Sequence, residues 1–235
     1  MNLMTPAAAV TAAAPTRAPE EEAACILKAA DRVLTGLERG ILIEACVLRQ
    51  AMEEAFGGSD AEGFWTWKAA YEACEAAQVL FLRKYGRAMR EKAGSPAAQL
   101  AMLSRIAGLL PTHTRRTQES EEFQQFSTPM PLAYVASIAA GVTGDDVVLE
   151  PSAGTGMLAV FAKIMPACVG AQNPNKPRLA LNEIADTRAA LLRRLFPDSL
   201  VTTHDAASID DRLADDIVPS VVLMNPPFSA ALHVQ

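Results

Sequence analysis

The sequence lacks the marks of several common protein classes. Half of its 235 residues are hydrophobic. Yet it has no uninterrupted apolar stretch of about 18 residues, so no transmembrane helix is expected. It has no basic start followed by a compact apolar run, so it does not read as carrying a signal peptide. Met1–Pro19, rich in Ala, Pro and Thr, is expected to be a disordered leader. It has four cysteines, Cys25, Cys46, Cys74 and Cys168, none paired at metal-ligand spacing and three inside helical patterns. They read as small buried hydrophobes in a reducing cytoplasm, and no metal site is expected. It also lacks a basic surplus. Residues 1–110 carry 12 basic and 13 acidic side chains, residues 111–235 carry 9 and 14, and the net charge is -6. That balance argues against a stand-alone nucleic-acid binder; a DNA or RNA substrate would have to be held by a small local patch or by contacts from elsewhere. There is no internal repeat.

What is present divides near residue 110. From Glu20 to Phe56 apolar residues recur at helical spacing (Ile26, Ala30, Val33, Leu37, Ile41, Ala45, Leu48, Met52, Phe56), with Gly36 and Gly40 as break points between two helices. Gly57-Gly58-Ser59-Asp60 is a stop. A helix is expected from about Glu62 to Arg90, with Trp67, Ala70, Cys74, Ala77, Phe81 and Tyr85 on one face. Ser95-Pro96 then caps and opens a further helix that ends before Pro111. Trp65, Trp67 and Tyr71 could stack on bases, but their spacing favours packing. Thr112 to Gln125 is polar and reads as a linker.

Beyond it, helices alternate with short apolar strands. The expected order is helix 131–140, strand 147–149, helix 156–164, strand 179–181, helix 185–196, strand 200–203, a helical piece 208–216, and strand 220–224. Such alternation implies a parallel sheet with right-handed crossovers. The fold class is therefore α/β, preceded by an α-helical region over residues 20–110.

In open parallel sheets ligands bind at the carboxyl ends of the strands. The first strand is followed by Glu150-Pro151-Ser152-Ala153-Gly154-Thr155-Gly156. A glycine turn lets the backbone approach a ligand closely and aims the next helix's free N–H groups at it. There is no Gly-Lys-Ser/Thr, so this is not a phosphate-gripping P-loop. Ala159 stands where a third fingerprint glycine would be, which leaves a nicotinamide fold open on this element alone. After the second strand comes Asn182-Glu183, whose carboxylate is placed to accept from ribose hydroxyls. A helix-dipole acid is the plainer alternative. The insertion Gln172 to Pro177 lengthens the gap between turn and acid beyond the usual ~20 residues. After the third strand comes His204-Asp205-Ala206; Asp205 could accept from an adenine amine or be an exposed loop acid, and His204 is taken as a bystander.

The sharpest signal follows the fourth strand: Asn225-Pro226-Pro227-Phe228. The apolar strand delivers Asn225 to the carboxyl edge. Two prolines fix the backbone and the direction of the Pro226 carbonyl. An amide oxygen and a rigid carbonyl together can accept both hydrogens of an exocyclic NH2 group, aiming its lone pair at an electrophilic methyl group. Phe228 offers a flat face for a planar base or amide.

On these residues the chain resembles the amino-methyltransferases, a Rossmann-like family with an Asn/Asp-Pro-Pro-aromatic signature. Glu150 to Gly156 looks like their cofactor motif. Phe126-Ser127-Thr128-Pro129 looks like the segment that packs against the methionine part of the cofactor where the cofactor motifs come first in sequence. Gln124 to Pro129, Asn182-Glu183 with Thr187 to Leu192, and Val221 to Ser229 look like the methyltransferase region ahead of strawberry-notch-type helicase domains in bacterial and mobile-element proteins. The resemblance covers roughly residues 111–235. It implies S-adenosylmethionine held by Phe126, Ser127, Thr128, Pro129, Glu150, Ser152, Gly154, Gly156, Glu183, Asp205, Ala206 and Asn225. It implies catalysis by Asn225, Pro226, Pro227 and Phe228. It also implies three further strands beyond Phe228, so the chain is expected to be part of a longer cytoplasmic methyltransferase-helicase protein.

The expected reaction is direct methyl transfer to a base taken out of its stack, most simply N6 of adenine in DNA, with no metal and no covalent enzyme intermediate. Orientation alone can supply ~7 kcal/mol or more. An RNA or protein-glutamine methyltransferase, an inert cofactor- or nucleic-acid-binding module serving a helicase, and a nicotinamide oxidoreductase remain as alternatives. The last leaves Asn225 to Phe228 unexplained.

Overall fold

The computed structural model describes residues 16–111, 127–164 and 177–226. Helix α1 (Pro19–Glu38) has proline at its start, where no N–H is needed, and Glu20, Glu21 and Glu22 at the positive end of its dipole. The apolar run does divide in two, but at Gly40; Gly36 lies inside α1. Helix α2 (Ala45–Phe56) completes the run. Residues 16–19, given to the leader above, are ordered here. Arg17 donates to the Phe64 and Phe56 carbonyls at 2.7 Å each, and Pro19 begins α1. Residues 1–15 and the expected linker lie outside the described residues.

Helix α3 (Trp67–Ala93) begins later than its periodicity suggested. Ser59 and Glu62 exchange capping bonds, Ser59 N to Glu62 Oε2 at 3.0 Å and Glu62 N to Ser59 Oγ at 3.3 Å, but these close a turn. The helix starts instead after Thr66, whose hydroxyl accepts from Ala69 N. Trp65 donates to Gly58 O and Trp67 to Asp60 Oδ2, both at 3.0 Å, so these rings pack within the fold. Helix α4 (Pro96–Ala107) is capped by Ser95 as its sequence implies.

The remainder alternates: α5 (Met130–Ala140), β1 (Val147–Glu150), α6 (Met157–Ile164), β2 (Arg178–Asn182), α7 (Asp186–Leu195), β3 (Leu200–Thr202), a short 3-10 turn (Ala206–Ser208) and β4 (Val221–Val222). All three strand pairings are parallel, in the order β3-β2-β1-β4. β4 is shorter than expected, yet Ser220 N to Val147 O and Leu223 N to Leu149 O, both 2.9 Å, extend its ladder at each end.

The expected helical piece at 208–216 does not form. Leu213 N reaches Ile209 O in one helical turn, which is not continued. Asp210, Asp211, Asp215 and Asp216 crowd like charges there, and aspartate is a weak helix former. The periodic apolar residues serve another purpose. Ile209, Leu213 and Ile217 cover Leu149 and Ala180 on one face of the sheet.

On the other face, α6 rests on β1 and β2, and α7 on β3. Helix α3 packs against both α6 and α7, α1 packs against α7, and α4 joins α3 to α5. One apolar core therefore runs from Ile26, Leu48 and Leu82 through Phe161 to Val148 and Leu181. The change near residue 110 is one of element type, not of packing. Among the described residues no helix is long and apolar enough to cross a membrane.

Candidate functional site

The strand order turns back between β1 and β4, and a crevice opens at such a reversal beyond the carboxyl ends of the strands. A cavity of ≈ 240 Å³ lies there. Its lining brings together Ser127, Thr128, Glu150, Ser152, Gly154, Glu183, Asp205, Ala206 and Asn225 from five separate stretches of chain. Phe126, Pro227 and Phe228 lie outside the described residues.

The turn after β1 is shaped by two glycines with different duties. Gly154 has φ of 55° and faces the cavity, with Arg188 Nη1 3.9 Å from the place a Cβ would occupy. Gly156 has φ of 85°, and a Cβ there would overlap the Phe196 ring. Gly156 does not line the cavity. It was expected to hold cofactor; in the fold its lack of a side chain lets the turn pack closely onto the end of α7. Pro129, another expected binding residue, is exposed and precedes α5 without lining the cavity. Pro226 is likewise exposed and outside the lining.

The carboxyl end of β2 organises its neighbours. Asn182 Nδ2 donates to Pro151 O and His204 O, both at 2.9 Å. Asn182 Oδ1 accepts from Thr202 Oγ1 and His204 N, both at 2.8 Å. A single amide thus ties together the loops after β1, β2 and β3. Glu183 Oε2 accepts from Gly154 N at 2.8 Å and Oε1 from Ala185 N at 3.0 Å. A carboxylate has about four acceptor positions, so two are left for ligand hydroxyls. Asp205 Oδ1 accepts from Ala207 N at 2.9 Å, which fixes the 3-10 turn at the cavity edge. His204, set aside in the sequence reading, also lines the cavity.

At the far side, Asn225 Nδ2 donates to Thr128 Oγ1 at 3.1 Å. Ser152 Oγ approaches the Asn225 carbonyl at 3.5 Å. The Thr-Pro segment, the glycine turn and the asparagine after β4 therefore meet at one place.

Electrostatics distinguish this site from the rest of the protein. Glu150 is 2 % exposed, and its Oε2 is the one fully buried side-chain oxygen or nitrogen without a hydrogen-bond partner among the described residues. Burial pushes its carboxyl well above the ordinary range; the Ala159 amide opposes this and the Glu183 charge adds to it. Beneath the glycine turn sit Glu72 and Glu75, which the sequence reading did not single out, with Arg188, which it named only within the Thr187 to Leu192 stretch. Thr155 Oγ1 donates to Glu75 Oε2 at 2.8 Å, and Arg188 Nε donates to Glu72 Oε1 at 2.6 Å. Burial alone would lower the Arg188 pKa, but Glu72, Glu75 and Glu183 outweigh it, so the guanidinium stays charged. Burial raises Glu72 against the pull of Arg188 and of Lys68, whose Nζ is 3.9 Å away. Ile184, directly after Glu183, is 58 % exposed and lines the cavity with an apolar side chain. Its sequence signal was position: a lone branched apolar residue outside both β2 and α7.

Compared with models of known protein families, with curated proteins and with solved structures, the chain matches none.

Proposed function

We propose that this chain has a Rossmann-like methyltransferase fold and forms the S-adenosylmethionine-binding and catalytic part of an amino-methyltransferase, acting on an exocyclic amine of a nucleic-acid base, most simply N6 of adenine in DNA. The observation that carries this reading is the meeting of Thr128 with Asn225 on the cavity that Gly154 and Glu183 also line. A nucleotide pocket alone would not require an asparagine amide held in fixed orientation beside it.

The residues present fit this cofactor. When bound, it supplies an electrophilic methyl group on a cationic sulfonium. The cavity offers the Glu183 carboxylate as a negative charge beside a cationic ligand, and the buried Glu150 carboxyl, its Oε2 unpartnered, as a further hydrogen-bonding group. Glu183 would accept from ribose hydroxyls, Ile184 and Ala206 would flank the adenine, and Gly154 admits close approach of the ligand. Asn225, its Nδ2 engaged by Thr128, presents its Oδ1 as acceptor for the target amine. The Pro226 carbonyl would be the second acceptor and Phe228 the stacking face. These groups orient the amine for in-line attack, and their dipoles favour the positive charge that develops on it. The longer methyltransferase-helicase context belongs to the same proposal. The acidic balance of the chain favours a second reading, a cofactor-binding module that serves a helicase without turnover.

The test is transfer of labelled methyl to DNA by the complete reading frame, with products digested to nucleosides. N6-methyladenine that disappears in Asn225→Ala, while cofactor affinity changes little, is the expected result. Bound cofactor with no label in DNA, RNA or protein would select the inert module. Equal loss of cofactor binding in Asn225→Ala would remove the catalytic assignment.

A further inference from the structure

Arg188 is 6 % exposed, yet it lines the cavity, and it is the one lysine or arginine among the described residues that do so. Its Nε is committed to Glu72. Its two terminal amino groups have no hydrogen-bond acceptor among the described residues, and Nη1 lies beside Gly154. A buried guanidinium normally has its donors satisfied, so an open donor edge on a cavity points to an acceptor brought by a ligand. The charge around it narrows the choice. Glu72, Glu75, Glu150 and Glu183 are all buried near this cavity or beneath its turn. A ligand carboxylate entering beside the Glu183 carboxylate would be repelled unless a fixed cation met it. The planar fork of a guanidinium suits a carboxylate better than any other common acceptor except phosphate.

We propose that Arg188 binds the carboxylate of the ligand's amino-acid end, and that Glu72 and Glu75 of α3 make the N-terminal helices part of that subsite. The proposal rests on the reading of the ligand as S-adenosylmethionine, whose amino-acid end carries one carboxylate and one ammonium. Glu72 fixes the guanidinium through Nε, which leaves the opposite edge for the ligand. Glu75 fixes the turn through Thr155. Arg188 serves the ligand's anionic group. Glu72 and Glu75 act through other residues and are positioning groups.

The experiment compares S-adenosylhomocysteine with its carboxamide, in which the carboxylate is replaced by a neutral amide, by titration calorimetry. The wild-type protein is expected to bind the carboxylate form at least ~10-fold more tightly. Removing only Arg188 would strand a buried Glu72, so the variant used is the double substitution Arg188→Met with Glu72→Met, which removes both buried charges together. It is expected to bind the two ligands within about twofold of each other, since the group that tells them apart is gone. Equal binding of both ligands by the wild type overturns the proposal with no variant needed, as does discrimination that survives in the double variant. A wild type that binds neither ligand overturns the cofactor reading and this subsite with it; binding without discrimination overturns the subsite alone.

Discussion

Thr128 and Asn225 share a 3.1 Å hydrogen bond that joins the segment ahead of α5 to the end of β4. The asparagine is the donor, so its carbonyl is turned away from Thr128. Thr128→Val keeps the shape and removes the acceptor. Transfer is expected to fall roughly 10- to 100-fold, since small misplacement of a reacting group costs on that order. Cofactor affinity should change much less, and Thr128→Ser should recover most of the rate. The check is kcat alongside the cofactor Kd for all three proteins; equal loss in Val and Ser variants would contradict the role.

Thr155→Val leaves Glu75 Oε2 buried without its hydroxyl donor. The expected loss is about 1–3 kcal/mol of stability, read from urea unfolding. Unchanged stability would mean that the bond carries no weight.

Glu150 makes stability depend on pH in an unusual direction for a carboxyl group. Its pKa in the folded protein lies well above its ordinary value of 4.5. Between those two values the folded state holds a proton that the unfolded chain has lost. This contribution is therefore full below the ordinary pKa and is lost as pH rises through the folded one. Glu72 shifts in the same direction, so the informative quantity is the difference between wild type and Glu150→Gln. Measured by urea midpoints from about pH 5 to about pH 8, the variant should gain on the wild type as pH rises. Parallel profiles would show that Glu150 titrates normally.

The two glycines of the turn should respond differently to alanine. At Gly156 a methyl group meets both a positive φ and the Phe196 ring. Strain and overpacking together are expected to cost about 2–4 kcal/mol. At Gly154 the nearest atom is Arg188 Nη1 at 3.9 Å, so the cost is the φ penalty alone, about 1 kcal/mol. Gly154→Ala should instead weaken ligand binding, because its methyl group enters the cavity. Thermal unfolding with and without ligand separates the two.

The strands, most helices and the strand-end residues were legible because each follows from local pattern: period, caps, and short apolar runs ended by glycine or proline. Residues 208–216 misled because Ile209, Leu213 and Ile217 have helical spacing while covering a sheet face as turns. Glu72, Glu75 and Arg188 were not legible, since acids and arginines on helices ordinarily face water. A signal was present nonetheless. Glu72 and Glu75 stand among Ala69, Ala70, Ala73, Ala76 and Ala77, and so many small residues on one stretch of helix indicate close approach of another element. Which element approaches, and that it brings an arginine, depends on contacts more than a hundred positions away in the chain.

Asn182 has a mechanical consequence. Its one amide group is bonded to the loops that follow β1 and β3 as well as to β3 itself. Displacing any of those loops strains bonds to the others, so their fluctuations are correlated. The rim formed by residues 151, 182 and 204 behaves as a stiff arc, and the compliance needed to admit a ligand must come from the side of the cavity that this amide does not span.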